Sequence, residues 1–393
     1  MAMNLLKRFP NQNMVKRKTT KKVASRKVVR KIFVQKESKI EQKIEKKYSR
    51  NTYYFIGILI VILTLVFIGL NYNSIFGKET QKISTCGDGS FYDTCSLVKS
   101  YICEKGKLIE AARFCGCPEG FTKDEDSCVS SLMTNSKDVI LPYMLNGVDG
   151  NINTVLYKGL YDSLGNASRQ ITYNGEEKPF RVDFKFKKIN EENQKQELDK
   201  IVVDIENMAS SKEDQARIAI SFVQNIPFKE SSKKIKVGNL TIDYSRYPYE
   251  VLYENAGVCG EKSELLAFLL KELGFGTVLF YNQAENHETV GIACPIEESY
   301  WNSGYCFVET SGPSILSDDE ISYVGNVKLI SKPEIMFISG GVSLPAGLKE
   351  YSDAEELGKI RERLEQGKKL NSQEKETLDE LNSKYGLVEI YNA

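Results

Sequence analysis

Histidine is almost missing from this chain: His287 is the only one among 393 residues, and Trp301 is the only tryptophan. A single imidazole cannot build a histidine-rich metal centre, and the absence of any CxxC pair removes the usual zinc spacing. No glycine-rich phosphate loop follows a strand-like run, so nothing points to a nucleotide, haem or flavin. No acidic loop of the EF-hand type occurs, which leaves a calcium requirement unsupported. No cofactor is expected. Net charge is absent as well, since 53 Lys and Arg balance 53 Asp and Glu. Disorder is excluded by composition, because 41% hydrophobic and 27% charged residues can build a sizeable core and two or more domains.

The zero net charge conceals a split. Residues 1–50 hold 17 Lys and Arg against Glu37, Glu41 and Glu45, a net of +14 that leaves −14 on the rest. The border is "YYFIGILIVILTLVFIGL", Tyr53 to Leu70, with no charge inside. Eighteen residues at a rise of ~1.5 Å span roughly 27 Å, close to the hydrocarbon thickness of a bilayer. Tyr53, Tyr54 and Tyr72 stand where an interfacial aromatic belt belongs. A transmembrane helix over 51–72 is expected, contacting lipid through residues 53–70. A cleaved signal peptide fits less well, because its basic region would not run to 50 residues. Basic residues stay on the cytoplasmic side, which puts the 1–50 tail inside and the remainder outside the cell membrane. The same tail could attract nucleic acid, but with a span directly after it a topology signal and attraction to anionic lipid explain it better, and no nucleic-acid partner is expected.

Cys86, Cys95, Cys103, Cys115, Cys117 and Cys128 place six of nine cysteines between residues 86 and 130. In an outside compartment an even set reads as three disulfides, with fifteen possible connectivities; a zinc cluster is the weaker rival because the segment has no histidine. Within it "CGCPEGFTKDEDSC" resembles the C-terminal signature of epidermal-growth-factor-like modules through Cys115, Cys117, Gly120, Phe121 and Cys128. Residues 131–187 are expected to be β-rich, with strands in "INTVLYKGLYDSL", "SRQITYN" and "FRVDFKFKK". Helical spacing follows in "QELDKIVVDIENMA", with Ile201, Val202, Ile205 and Met208 on one stripe, and in "EDQARIAISFVQNI". Sequons at Asn166 and Asn239 are compatible with an outside location. The extension 326–393 ends in a helical hairpin with capping boxes Ser352/Glu355 and Asn371/Glu374 and terminal glycines Gly367 and Gly386.

Chemistry concentrates between residues 188 and 325. "RYPYEVLYENAGVCGEKSELLAFLLKELG" sets Cys259 between glycines at the start of a leucine-rich helix. A helix N-terminus offers unpaired N–H groups and partial positive charge, an environment suited to a nucleophilic thiolate. The alternative is a small packed cysteine. His287 opens a strand-like run 28 residues later, and a histidine is the base that cysteine catalysis requires near neutral pH. Glu309 ends the next run, "GYCFVETSGP". An antiparallel hairpin centred on Glu298 would place His287 and Glu309 side by side on one face. Tyr247 and Tyr249 are read as packing more than as site residues, and Trp301, in the loop between the two strands, as a border of the substrate groove.

These stretches, with "HETVGIACP", make residues 190–325 resemble the transglutaminase-like family, membrane-anchored archaeal members in particular. The resemblance implies an α+β, papain-like core in which a helix carrying the nucleophile packs on an antiparallel sheet carrying the histidine and the acid. It assigns Cys259 as nucleophile, His287 as general base and acid, and Glu309 as the residue orienting the imidazole; the family more often has Asp in that third place. The implied activity is acyl transfer at a carboxamide or peptide bond of a protein or peptide substrate, as peptidase, deamidase or cross-linking enzyme. A surface binding or adhesion module that keeps the fold without turnover is the alternative.

Cys294 and Cys306 share a face, but the register that opposes His287 to Glu309 offsets them by four residues, roughly 13 Å along a strand. A disulfide needs Cα atoms within about 7 Å. Register therefore argues against a bridge that the tendency of outside thiols to pair argues for.

Overall fold

The structure is a computed structural model that describes residues 54–55, 57–65, 84–175, 177–237, 240–320, 322–323 and 327–387. The basic tail 1–50, Tyr53, residues 66–70, Tyr72 and the Asn239 sequon lie outside the described residues. Two compact units divide the chain, 1–82 and 83–393. In the first, residues 57–65 are helical, and Ile58, Leu59, Ile60, Val61, Ile62, Leu63 and Leu65 are all exposed. No helix among the described residues is long and apolar enough to cross a membrane.

The second unit is a mixture of helices and small antiparallel sheets tied by disulfides. It opens with the cysteine-rich segment, built from the hairpin β1 (Tyr101–Glu104) and β2 (Lys107–Glu110), a single turn α1 (Ala112–Cys115), and the hairpin β3 (Thr122–Asp124) and β4 (Ser127–Val129). Bridges join Cys86 to Cys103, Cys95 to Cys115 and Cys117 to Cys128, so one of the fifteen connectivities is selected. Its core is small: Tyr101, Leu108 and two bridged cysteines meet Val203 of the following domain. A core of that size needs covalent staples to hold a fold.

A ribbon of β5 (Ser136–Leu145) and β6 (Val148–Tyr157) follows, closed by Asn146-Gly147 with both φ values positive, 52° and 79°. Asn-Gly is the pair that tolerates those angles and matches the twist of the flanking strands. The expected β-rich run then departs from expectation. Only the first half of "INTVLYKGLYDSL" is strand; α2 (Lys158–Asn166) takes over because Leu156, Leu160 and Leu164 recur every four residues and are all buried. "SRQITYN" forms no strand, since Arg169 turns inward to Glu250 (3.0 Å) and the Tyr244 hydroxyl (2.6 Å). "FRVDFKFKK" is the helix α3 (Arg181–Ile189), not a strand. Its alternation is overruled by charge: Lys185 and Lys188, on one helical face, both pair with buried Glu264, while Phe180 and Phe184 remain exposed.

Helices α4 (Glu192–Met208) and α5 (Lys212–Asn225) fall where the periodicity places them. Ile201, Val202 and Ile205 are fully buried, but Met208, the last residue of the helix, is 43% exposed. After the short ribbon β7 (Lys234–Val237) and β8 (Leu240–Asp243) come α6 (Pro248–Glu254) and α7 (Cys259–Glu272). Helix α7 packs on a four-stranded antiparallel sheet made from β9 (Thr277–Asn282), β10 (His287–Ala293), β11 (Tyr305–Val308) and, beyond a two-residue ladder of β12 (Ser322–Tyr323) with β13 (Val327–Lys328), β14 (Glu334–Ser339). The strand order is β11-β10-β9-β14. Leu265, Leu266, Leu269 and Leu270 of α7 meet Leu279, Val290, Ile292, Val308 and Met336 of the sheet in one continuous core.

The chain closes with α8 (Lys349–Glu365) and α9 (Ser372–Tyr385). Asn371 caps α9 as expected, its side chain accepting from Glu374 N (2.9 Å) while Glu374 reaches back to Asn371 N (2.8 Å). Ser352 does not cap α8. The helix begins three residues earlier, and the Ser352 hydroxyl donates to Lys349 O inside it (2.9 Å).

Candidate active site

Cys259 is the first residue of α7. The helix starts there because Glu261 turns back on it: its carboxylate accepts from Val258 N (3.1 Å) and from both Arg246 N (2.8 Å) and Arg246 Nη1 (2.7 Å). An acidic side chain at this place satisfies donors that a helix leaves without partners and complements its dipole. Among the described residues Cys259 is the cysteine outside any disulfide, and it is half-buried.

His287 opens β10 and is buried. Its Nε2 lies 2.8 Å from Glu309 Oε2, and the Cys259 side chain also acts on the ring as a hydrogen-bonding neighbour. The three residues singled out in the sequence are thus adjacent, with the imidazole between thiol and carboxylate. Burial alone would lower the basicity of the imidazole, but the hydrogen bonds to Cys259 and Glu309 and their negative charges outweigh it and carry its pKa from 6.5 up to about 9.

Glu309 stands just past β11 and is 1% exposed. Burial opposes its charge; the hydrogen bond and positive charge of His287 and the donors of Ser311 prevail, and hold it below the usual carboxylate range. Oε1 accepts from Thr310 N (2.8 Å) and Ser311 N (2.7 Å), so both carboxylate oxygens are engaged. The carboxylate is held in place by the backbone turn that follows it.

The hairpin register differs from the expected one. Val290 opposes Val308 and Ile292 opposes Cys306, which sets His287 and Glu309 on a diagonal instead of directly opposite. Diagonal neighbours on one face remain within reach of long side chains, and Glu is the longer of the two acidic residues. The same two-residue change brings Cys294, bonded through its N–H to Gly304 O, beside Cys306. The bridge that the expected register opposed is formed, with a Cα separation of 5.7 Å.

A cavity of about 330 Å³ opens at the thiol, lined by Phe228, Tyr244, Val258, Cys259, Asn286 and His287 among others. Tyr244 belongs to "YSRYPYE", whose other tyrosines are elsewhere: Tyr247 and Tyr249 are fully buried, and Tyr249 OH accepts from Tyr157 N (2.6 Å). Both are packing residues. Trp301 does not border this cleft. It lies at the opposite end of the β10–β11 hairpin, 49% exposed, in a separate cavity of about 940 Å³ against α8. Phe228 and Asn286 carry no sequence signal, because folding alone brings their loops to the cysteine.

Two residues that sequence reasoning passed over reinforce the site. Ser263, one turn after Cys259, donates to Glu288 O (3.1 Å) and meets Thr310 Oγ1 (3.0 Å), linking α7 to β10 and to the turn after β11. Gln224 donates to Glu309 O (2.9 Å) from α5. No group of three or more His, Cys, Asp or Glu among the described residues is placed to hold a metal ion. No protein-family model and no curated protein matches the chain.

Proposed function

We propose that this chain is a membrane-anchored cysteine enzyme of the transglutaminase-like, papain-like type, transferring the acyl group of a carboxamide or peptide bond on a protein substrate outside the cell. The observation that carries the reading is His287 buried between Cys259 and Glu309. A helix bearing the cysteine and an antiparallel sheet bearing the other two is the arrangement such a fold requires, and the Glu309 turn supports the Glu-for-Asp exchange. The anchor reading draws on the uncharged run 53–70 and on the exposed apolar side chains of residues 57–65.

In the reaction, the thiolate of Cys259 attacks the carbonyl carbon, and the carbonyl electrons move to oxygen. The N–H of Cys259, at the first position of α7, would stabilise that oxyanion. Collapse of the intermediate breaks the C–N bond, and imidazolium His287 gives its proton to the departing ammonia or amine. Water or a second amine then attacks the thioester, His287 takes up the proton, and the thiolate leaves. Glu309 stays ionised throughout and holds the ring orientation.

The test is alkylation of the full chain in detergent micelles with iodoacetamide. Rapid, pH-dependent labelling of Cys259 that His287→Ala slows at least about tenfold is expected for a thiolate held by its base. Equally slow labelling of both proteins would sink the reading in favour of a non-catalytic binding module. Incubation with a glutamine peptide and a labelled amine then separates cross-linking from hydrolysis.

A further inference from the structure

Lys262 is fully buried, three residues after Cys259 on α7. A lysine is seldom found in such a place unless its charge is matched, because desolvating an ammonium is costly. Its Nζ donates to Ile226 O (2.6 Å), Gln224 O (3.1 Å) and Ser311 O (3.3 Å), so each of three N–H bonds has an acceptor. No carboxylate touches it among these partners. The charged groups that face it are Glu309, from the turn after β11, and Cys259, from its own helix; α5 presents only carbonyl oxygens.

The Ser311 contact is informative. Ser311 N donates to Glu309 Oε1 while Ser311 O accepts from Lys262, and Gln224 fixes Glu309 O from α5. Lys262 therefore grips the far end of the turn that cradles the orienting carboxylate. Counting a Cys259 thiolate, protonated His287, ionised Glu309 and a protonated Lys262, the set carries two negative and two positive charges. Without the ammonium it carries a net negative charge in a place where charge is poorly screened.

We propose that Lys262 is a positioning residue of this site: its ammonium anchors the Glu309–Ser311 turn and supplies the positive charge that holds the Cys259 thiolate and the Glu309 carboxylate ionised. The inference rests on the acyl-transfer reading above. Burial brings the pKa of Lys262 down to about 8 against the pull of Glu309 and Cys259, so its charge is present at neutral pH and is lost in the mildly alkaline range.

The pH profile of Cys259 alkylation in the full chain reads this charge, which a purely structural staple would not alter. Lys262→Met, similar in length but uncharged, is expected to raise the half-point of labelling by about 0.5 to 1 pH unit, slowing it roughly three- to tenfold below that pH. Lys262→Arg keeps the charge and is expected to return the half-point to within about 0.3 of wild type. A folded Lys262→Met protein with the wild-type half-point overturns the proposal. Should Lys262→Met fail to fold, Lys262→Arg decides alone, and a half-point displaced by more than about half a unit overturns it. Slow, pH-independent labelling of the wild-type protein would instead remove the acyl-transfer reading itself, before any variant is compared.

Discussion

Glu309→Gln is the substitution that separates an orienting carboxylate from a structural one. The side chain keeps its size, and its carbonyl oxygen can still accept from Thr310 N and Ser311 N, so the turn survives. The other arm changes sign: an NH2 group now faces His287 Nε2, donor against donor whenever that nitrogen is protonated. In the wild-type protein the imidazole is raised from 6.5 to about 9, worth roughly 3 kcal/mol between its charged and neutral forms at ~1.36 kcal/mol per pH unit. Cys259 and Glu309 share that gain against the opposing effect of burial. Removing one of two anions takes about half of it or more, so the midpoint should fall to about 8 or lower. Because His287 is the only histidine, one imidazole resonance in a proton–carbon NMR spectrum reports it without assignment. The sign of the linked stability follows from the same shift. A raised pKa stabilises the folded state fully below pH 6.5, and the contribution is lost as pH rises through about 9. The unfolding free energy of the wild type should therefore decline across that window by up to about 3 kcal/mol, and the decline should shrink in Glu309→Gln. A variant resonance still titrating near 9 would refute the coupling on which the site is built.

Replacing Cys294 and Cys306 together by serine opens a loop of 12 residues' separation, and the chain-entropy argument gives a loss of about 3 kcal/mol; thermal unfolding without reductant measures it, and an unchanged melting temperature would mean the bridge constrains nothing. Glu261→Ala strips the α7 N-terminus of its cap and leaves Arg246, 2% exposed, with Glu254 as its remaining carboxylate partner. A loss of about 3 kcal/mol in denaturant unfolding is expected, together with slower Cys259 labelling because the first turn of the helix loosens. Full stability with unimpaired labelling would show that the cap plays no part in presenting the thiol.

The fold was legible where one physical signal acted alone. Leucines at helical spacing place α7, an Asn-capped box starts α9, and six clustered cysteines yield a stapled module. Reading failed where two signals competed. "FRVDFKFKK" alternates like a strand, yet Lys185 and Lys188 answer to Glu264 and Glu288, residues 79 and 103 positions away from Lys185. A buried carboxylate pair demanding cations decides the conformation of that segment, and no local pattern records the demand. Ser352 illustrates the reverse case, a local capping pattern overridden because the helix finds its start at Lys349.

The register of the β10–β11 hairpin joins these lessons to the site. Direct opposition of His287 and Glu309 is the simplest pairing, and it argues against the Cys294–Cys306 bridge; the observed pairing is moved by two residues and permits both contacts. Two residues is the smallest shift that preserves which face each side chain occupies, so parity, which the numbering reveals, survives while the register does not. A diagonal pair also needs reach. The extra methylene of Glu309 lets a carboxylate anchored on Thr310 N and Ser311 N touch the imidazole across that diagonal. On this geometry the acidic residue, the register and the disulfide form one set: shortening Glu309 to Asp would withdraw the acceptor from His287 unless the hairpin shifted, and the Cys294–Cys306 bridge opposes that shift.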